Sequence, residues 1–65
     1  MKAPNKVLKA KRNEKGLTQV EVARKAEMSV RHYQCLEAGN AKPKIDTAER
    51  VAKVLNSTVD ELFLK

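Results

Sequence analysis

His32 and Cys35 stand three residues apart, a spacing that on a helix would put an imidazole and a thiol on adjacent turns, able to share a metal ion or to act as base and nucleophile. They are the single His and single Cys of the chain. A tetrahedral zinc site would need carboxylates or a second subunit to complete it, and a catalytic pair would need an orienting third group and a pocket that 65 residues leave little room to build. Gly16 and Gly39 belong to no phosphate-cradling glycine pattern. No metal, nucleotide or other cofactor is expected, and no enzyme activity. The chemistry left on this stretch is hydrogen bonding. Arg31 carries a planar fork of N–H donors, and Gln34 both donates and accepts.

These groups need a scaffold, and the apolar periodicity supplies a helical one almost throughout, with no sustained strand alternation and no internal repeat. A first, weakly amphipathic helix begins near Pro4 and Asn5, carries Val7, Leu8 and Ala10, and runs to Lys15 before Gly16 stops it. Thr18 with Glu21 forms a capping box that opens a second helix, whose inward face is Val22, Ala23 and Ala26. Ser29 caps a third helix running to about Ala38, ended by a left-handed Gly39 or Asn40. At 100° per residue its Tyr33 and Leu36 point one way, while Arg31, Gln34, Cys35 and Ala38 point the other, with Val30 at the edge. Ala48, Val51, Ala52 and Leu55 define a fourth helix, with Asp46 and Glu49 as its capping pair. After a left-handed Asn56, Thr58 and Glu61 open a short fifth helix with Val59, Leu62 and Phe63 on one face. The expectation is an all-α, compact five-helix architecture, one domain over 1–65 with its core at about 5–64.

The charge balance names the kind of partner. Fourteen Lys and Arg against eight Asp and Glu give +6, which asks for an anion. The excess is concentrated in residues 1–15, with six bases and one acid, and in residues 30–44, with three bases and one acid. A disordered polycation is excluded by 42% apolar residues, two Gly, two Pro and no low-complexity tract. One cysteine closes no intrachain disulfide, no apolar run reaches a membrane span, and residues 1–15 lack the apolar centre of a signal peptide. The expected setting is therefore cytoplasmic, with no membrane partner.

Gly16-Leu17-Thr18-Gln19-Val20-Glu21-Val22-Ala23, Met28-Ser29, Leu36-Glu37-Ala38-Gly39, Pro43 and Val59-Asp60-Glu61-Leu62-Phe63 stand in one register. In that register the chain resembles the lambda-repressor/Cro type, or XRE-type, helix-turn-helix domain over about Leu8 to Phe63. The resemblance implies a transcriptional regulator of bacterial or phage origin, bound to double-stranded DNA at the nucleoid. Its second helix would cross the DNA backbone, and its third, about 29–38, would enter the major groove. The base-reading positions implied are Ser29, Val30, Arg31, Gln34 and Cys35. Arg31 suits the O6 and N7 of guanine, Val30 and Cys35 a thymine methyl, and Gln34 adenine or a phosphate. Phosphate contacts are expected of Arg12, Lys15, Thr18, Gln19, His32, Lys42 and Lys44.

One short reading helix contacts few bases, so the resemblance also implies a homodimer on a pseudo-palindrome, with Val54, Phe63 and Leu64 as the expected interface. The alternative function is a protein-interaction module on the same fold, facing a protein antagonist or a toxin. Several residues depart from the family pattern. Glu27 stands where a turn glycine is usual, Lys11 and Ala48 replace larger apolar residues, and Lys44 replaces a capping Ser or Thr, which moves the expected cap to Asp46. Tyr33 is larger than the usual isoleucine and is expected to fill part of the thinned core.

Overall fold

Four of the five helices of the protein begin at a side chain that satisfies an amide the helix itself cannot. The computed structural model describes residues 3–64. Asn5 Oδ1 accepts from the Leu8 amide at 3.0 Å and starts α1 (Lys6–Glu14). Thr18 and Glu21 form the reciprocal capping box that starts α2 (Gln19–Lys25). Ser29 Oγ accepts from the His32 amide at the start of α3 (Val30–Ala38), and Thr58 does the same for Glu61 at the start of α5 (Val59–Phe63).

The exception is α4 (Ile45–Val54), where the expected Asp46 cap is corrected. The Ala48 amide already pairs with the Lys44 carbonyl at 2.8 Å, so the helix begins two residues earlier than a cap at Asp46 would allow. Lys44 occupies the cap position without a side-chain bond, and Asp46 sits in the first turn, where a carboxylate favours the positive end of the helix. The other correction in α1 is small: its last helical residue is Glu14, with Lys15 as the flanking cap.

Each of the first four helices ends in the same way. A left-handed residue, the cap itself in α3 and the residue after the cap in the other three, turns the chain, and two amides reach back to close the last turn. Gly16, Glu27, Gly39 and Asn56 hold the left-handed position. Met28 N–H donates to the Ala23 carbonyl and Glu27 N–H to Arg24, and the matching pairs close α1, α3 and α4. Three of these residues, Gly16, Gly39 and Asn56, are types that adopt the conformation at little cost. Glu27, at φ 57°, is not.

The core forms where these helices meet. Leu8 of α1, Val22 and Ala23 of α2 with Ala26 at its cap, Tyr33 and Leu36 of α3, Val51 and Ala52 of α4 with Leu55 at its cap, and Leu62 of α5 are buried together. The small side chains at 23 and 26 let α2 pack closely against α3 and α4. Tyr33 is fully buried and is the largest side chain in this interior, the role its size suggested where the fourth helix has only Ala48. Helix α1 commits Leu8 alone and leaves Val7 exposed, so its attachment depends on polar ties as well. Asn5 donates through Nδ2 to the Leu62 carbonyl at 2.7 Å and through its amide to the Glu37 carbonyl at 2.8 Å, joining the start of α1 to α5 and α3. Among the described residues there is no strand.

Candidate nucleic-acid interface

The turn between α2 and α3 is built from the left-handed Glu27, the partly buried Met28 and the extended Ser29 cap. It is short enough to hold the two helices as one packed pair. With Tyr33 and Leu36 turned into the core, the opposite side of α3 is left to solvent. Ser29, Arg31, His32 and Gln34 are exposed there, and Cys35 is half-buried. Val30 differs from the expectation. It is partly buried and packs against the core, which leaves less of it available to a thymine methyl than an outward position would.

Arg12 requires a correction. It was expected to meet a phosphate, but its side chain is 12% exposed and its Nε donates to Glu37 Oε2 at 2.6 Å. Another guanidinium nitrogen donates to the Leu17 carbonyl at 2.8 Å. The reason lies in Glu37, a carboxylate 7% exposed near the end of α3, which needs a buried counter-charge. Sequence reasoning missed this pair. The available signal was a glutamate two residues before the Gly39 stop, in line with the buried Tyr33 at i−4.

Burial alone would push the Glu37 carboxyl up, but donors on Arg12, Tyr33 and Gln19, with the Arg12 charge, hold it below the usual carboxylate range. The same pairing raises Arg12. Burial, reinforced by Glu37, also raises the Tyr33 phenol. The Tyr33 hydroxyl makes no hydrogen bond of regular geometry, although it lies close enough to the carboxylate to help keep it ionised.

The network reaches the surface through two expected site residues. Gln19 Nε2 donates to Glu37 Oε1 at 3.0 Å, and Gln34 Nε2 donates to Gln19 Oε1 at 3.3 Å. The start of α2 and the outer face of α3 are therefore joined side chain to side chain. Thr18 is exposed beside them with its hydroxyl oxygen engaged by the Glu21 amide. Lys15, Lys42 and Lys44 are exposed cations on the loops after α1 and α3, whereas Lys2, from the same N-terminal basic run, lies outside the described residues.

A second surface is apolar. Val7, Ile45 and Leu64 are exposed and line one cleft with Pro4, Pro43 and Phe63. Leu64 and the half-buried Phe63 were expected at an interface, while Val54 is partly buried against the core and is not among the residues lining this cleft. Val7 and Ile45 were not anticipated; on their helices it is Leu8 and Ala48 that are buried, and Val7 and Ile45 stay exposed. Among the described residues no group of three His, Cys, Asp or Glu gathers as metal ligands, and no helix is long and apolar enough to cross a membrane.

Comparison with known proteins agrees with this architecture. The family model described as helix-turn-helix matches residues 8–62. The structure of the SinR protein in complex with the SinI protein is 32% identical, with 86% of this chain and 55% of that one covered at a TM-score of 0.80. This chain thus spans little more than half of that one. SinR, which is from Bacillus subtilis, is also similar in its complex with DNA, where it is described as the master regulator for biofilm formation: 32% identity, 85% of this chain and 89% of that one covered, TM-score 0.79. The restriction-modification controller protein C.AhdI from Aeromonas hydrophila shares the fold at 24% identity, with 91% and 89% covered and a TM-score of 0.83. No curated protein matches the chain in sequence.

Proposed function

The chain belongs to the helix-turn-helix family, in its lambda-repressor/Cro or XRE-type branch, and from that membership we propose that it is a sequence-specific regulator of transcription that binds double-stranded DNA in the bacterial nucleoid. The observation that carries the reading is the outer side of α3, where Ser29, Arg31 and Gln34 stand exposed while Tyr33 and Leu36 hold the helix from behind. A helix presented in this way fits the major groove, and a guanidinium reads guanine there. The +6 charge and the exposed Lys15, Lys42 and Lys44 suit the phosphate backbone. The Gln19 and Thr18 end of α2 suits a single phosphate. The similar SinR structure described as a complex with DNA supports the same reading.

In this reading Arg31 and Gln34 choose bases, Ser29, Cys35 and the edge of Val30 complete the contact, and Gln19, Thr18, Lys15, His32, Lys42 and Lys44 hold the backbone. Two copies bind a pseudo-palindrome, joined through the cleft that holds Phe63 and Leu64. The test is selection of bound sequences from a random duplex pool, followed by titration of the winner in rising salt. A single enriched motif, with log K falling linearly in log salt, is expected; no enrichment would reject the reading. A second reading, as a partner of a protein antagonist, draws on the similar SinR–SinI complex and on the apolar cleft.

A further inference from the structure

Glu37 is buried near the C-terminal end of α3, yet three side chains converge on it or depend on it, one from each of the first three helices. Arg12 of α1 donates to one carboxylate oxygen at 2.6 Å, Gln19 of α2 donates to the other at 3.0 Å, and Gln34 of α3 donates in turn to Gln19 at 3.3 Å. The order of these bonds is not interchangeable. An ionised carboxylate only accepts, so the Gln19 amide must turn its nitrogen inward. A flipped amide would set a carbonyl oxygen against the carboxylate at the same short distance. With its nitrogen committed, Gln19 presents its oxygen outward, and that oxygen can only accept, so Gln34 must offer its nitrogen. The remaining N–H and the carbonyl oxygen of Gln34 then face solvent in one fixed order. A buried charge thus sets the polarity of an exposed amide it does not touch.

The geometry points to Glu37 as a positioning residue for the reading face: through Gln19 it fixes which way the Gln34 amide points, and so sharpens base choice where Gln34 meets DNA. This inference rests on the DNA-binding reading above. An amide that presents its oxygen and one N–H in a fixed order matches the N6–H donor and N7 acceptor of adenine, whereas a freely turning amide serves other bases nearly as well. The relay therefore adds discrimination rather than affinity. Two simpler roles make different predictions. If Gln19 is only a phosphate contact, its loss weakens all sequences alike. If Glu37 is only a counter-charge for Arg12, its loss lowers stability and leaves base choice intact.

The decisive variant is Gln19→Met, which cuts the relay while leaving the Arg12–Glu37 pair and the net charge unchanged. Glu37→Gln is the companion; it strips Arg12 of its counter-charge, so its fold is checked by melting before its binding is read. Two measurements are made on the intact 65-residue chain. The first, without DNA, is NMR relaxation of the Gln34 side-chain amide, expected to be ordered in the wild type and freed in Gln19→Met and in folded Glu37→Gln. The second is duplex-pool selection. The wild type is expected to prefer adenine at one position, and both variants should lose about tenfold of that preference there, with the other positions unchanged. A Gln34 amide as mobile in the wild type as in Gln19→Met would overturn the relay and leave the DNA reading standing. Weakening that is uniform over all sequences in Gln19→Met would overturn the link to base choice. A wild type that enriches no sequence would overturn the DNA reading, and the specificity claim with it, while the amide measurement separately records whether the relay exists.

Discussion

Glu27 and Gly39 occupy the same place at the ends of successive helices, each left-handed, with φ 57° and φ 79°, and each followed by an amide that returns to the helix it closes. The two positions impose different demands. At Gly39 a Cβ would run into the Ala3 carbonyl, in addition to the strain of the backbone. Glu27 already carries a side chain, and that side chain is exposed.

Glu27→Gly is therefore expected to stabilise the protein by about 1 kcal/mol, since the relief of left-handed strain exceeds the entropy that glycine adds to the unfolded chain. In a domain of this size that raises the melting temperature by about 5 °C. An unchanged or lower melting temperature would mean that the Glu27 side chain contributes more than its exposure suggests.

Gly39→Ala should cost about 2–4 kcal/mol, combining backbone strain with an overpacked contact. At Gly16, also left-handed, the space is open, so Gly16→Ala should cost only about 1 kcal/mol. Equal losses in urea unfolding of the two variants would show that the Ala3 carbonyl yields without cost.

The Arg12–Glu37 pair gives stability a dependence on pH. Because the folded Glu37 carboxyl lies below its ordinary value, its contribution is present above the unfolded carboxylate range, about pH 4, and is lost as pH falls through the lower folded value. Glu21 acts in the same direction, its carboxylate held down by the Thr18 amide and hydroxyl. The urea midpoint should fall in acid, and Glu37→Gln should flatten part of that fall. Arg12→Met, which leaves a buried carboxylate unpaired, should cost about 3 kcal/mol at neutral pH.

On DNA, Lys42→Ala or Lys44→Ala should weaken every sequence about equally and lower the salt slope by about one for each phosphate no longer neutralised. Arg31→Ala should instead cost about 1–3 kcal/mol on the selected site and relax one base pair. Folded Arg12→Met should leave the slope unchanged, because its guanidinium faces Glu37 and Leu17; a lower slope would return Arg12 to the interface.

Sedimentation at micromolar concentration should find a dimer that Leu64→Glu and Ile45→Glu both dissociate, since both residues are exposed in the same apolar cleft. A monomeric wild type would reject the stable dimer, and a dimer indifferent to both charges would move the interface elsewhere.

The sequence by itself determined the helices and the face each one buries, because these follow from interactions within one turn. The Thr18 capping box, the Thr58 hydroxyl cap, the left-handed Gly16, Gly39 and Asn56, and the inward Val22, Leu36 and Val51 are all local in this sense. The start of α4 is less legible, because Asp46 is a good cap by type while the actual boundary depends on where the chain leaves Pro43. Only the tertiary structure decided which polar groups serve the fold and which remain for a partner. Arg12 and Lys15 look alike along the chain, yet Arg12 meets Glu37 across 25 positions and is turned inward, while Lys15 stays in water. Separation along the chain, 18 and 15 positions, likewise hid the Gln19–Glu37 and Gln34–Gln19 bonds, and it hid the joining of Val7, Ile45 and Leu64 into one cleft. A charge or an apolar side chain carries no record in its own neighbourhood of the distant residue it will meet, and only the packing of whole helices brings the two together.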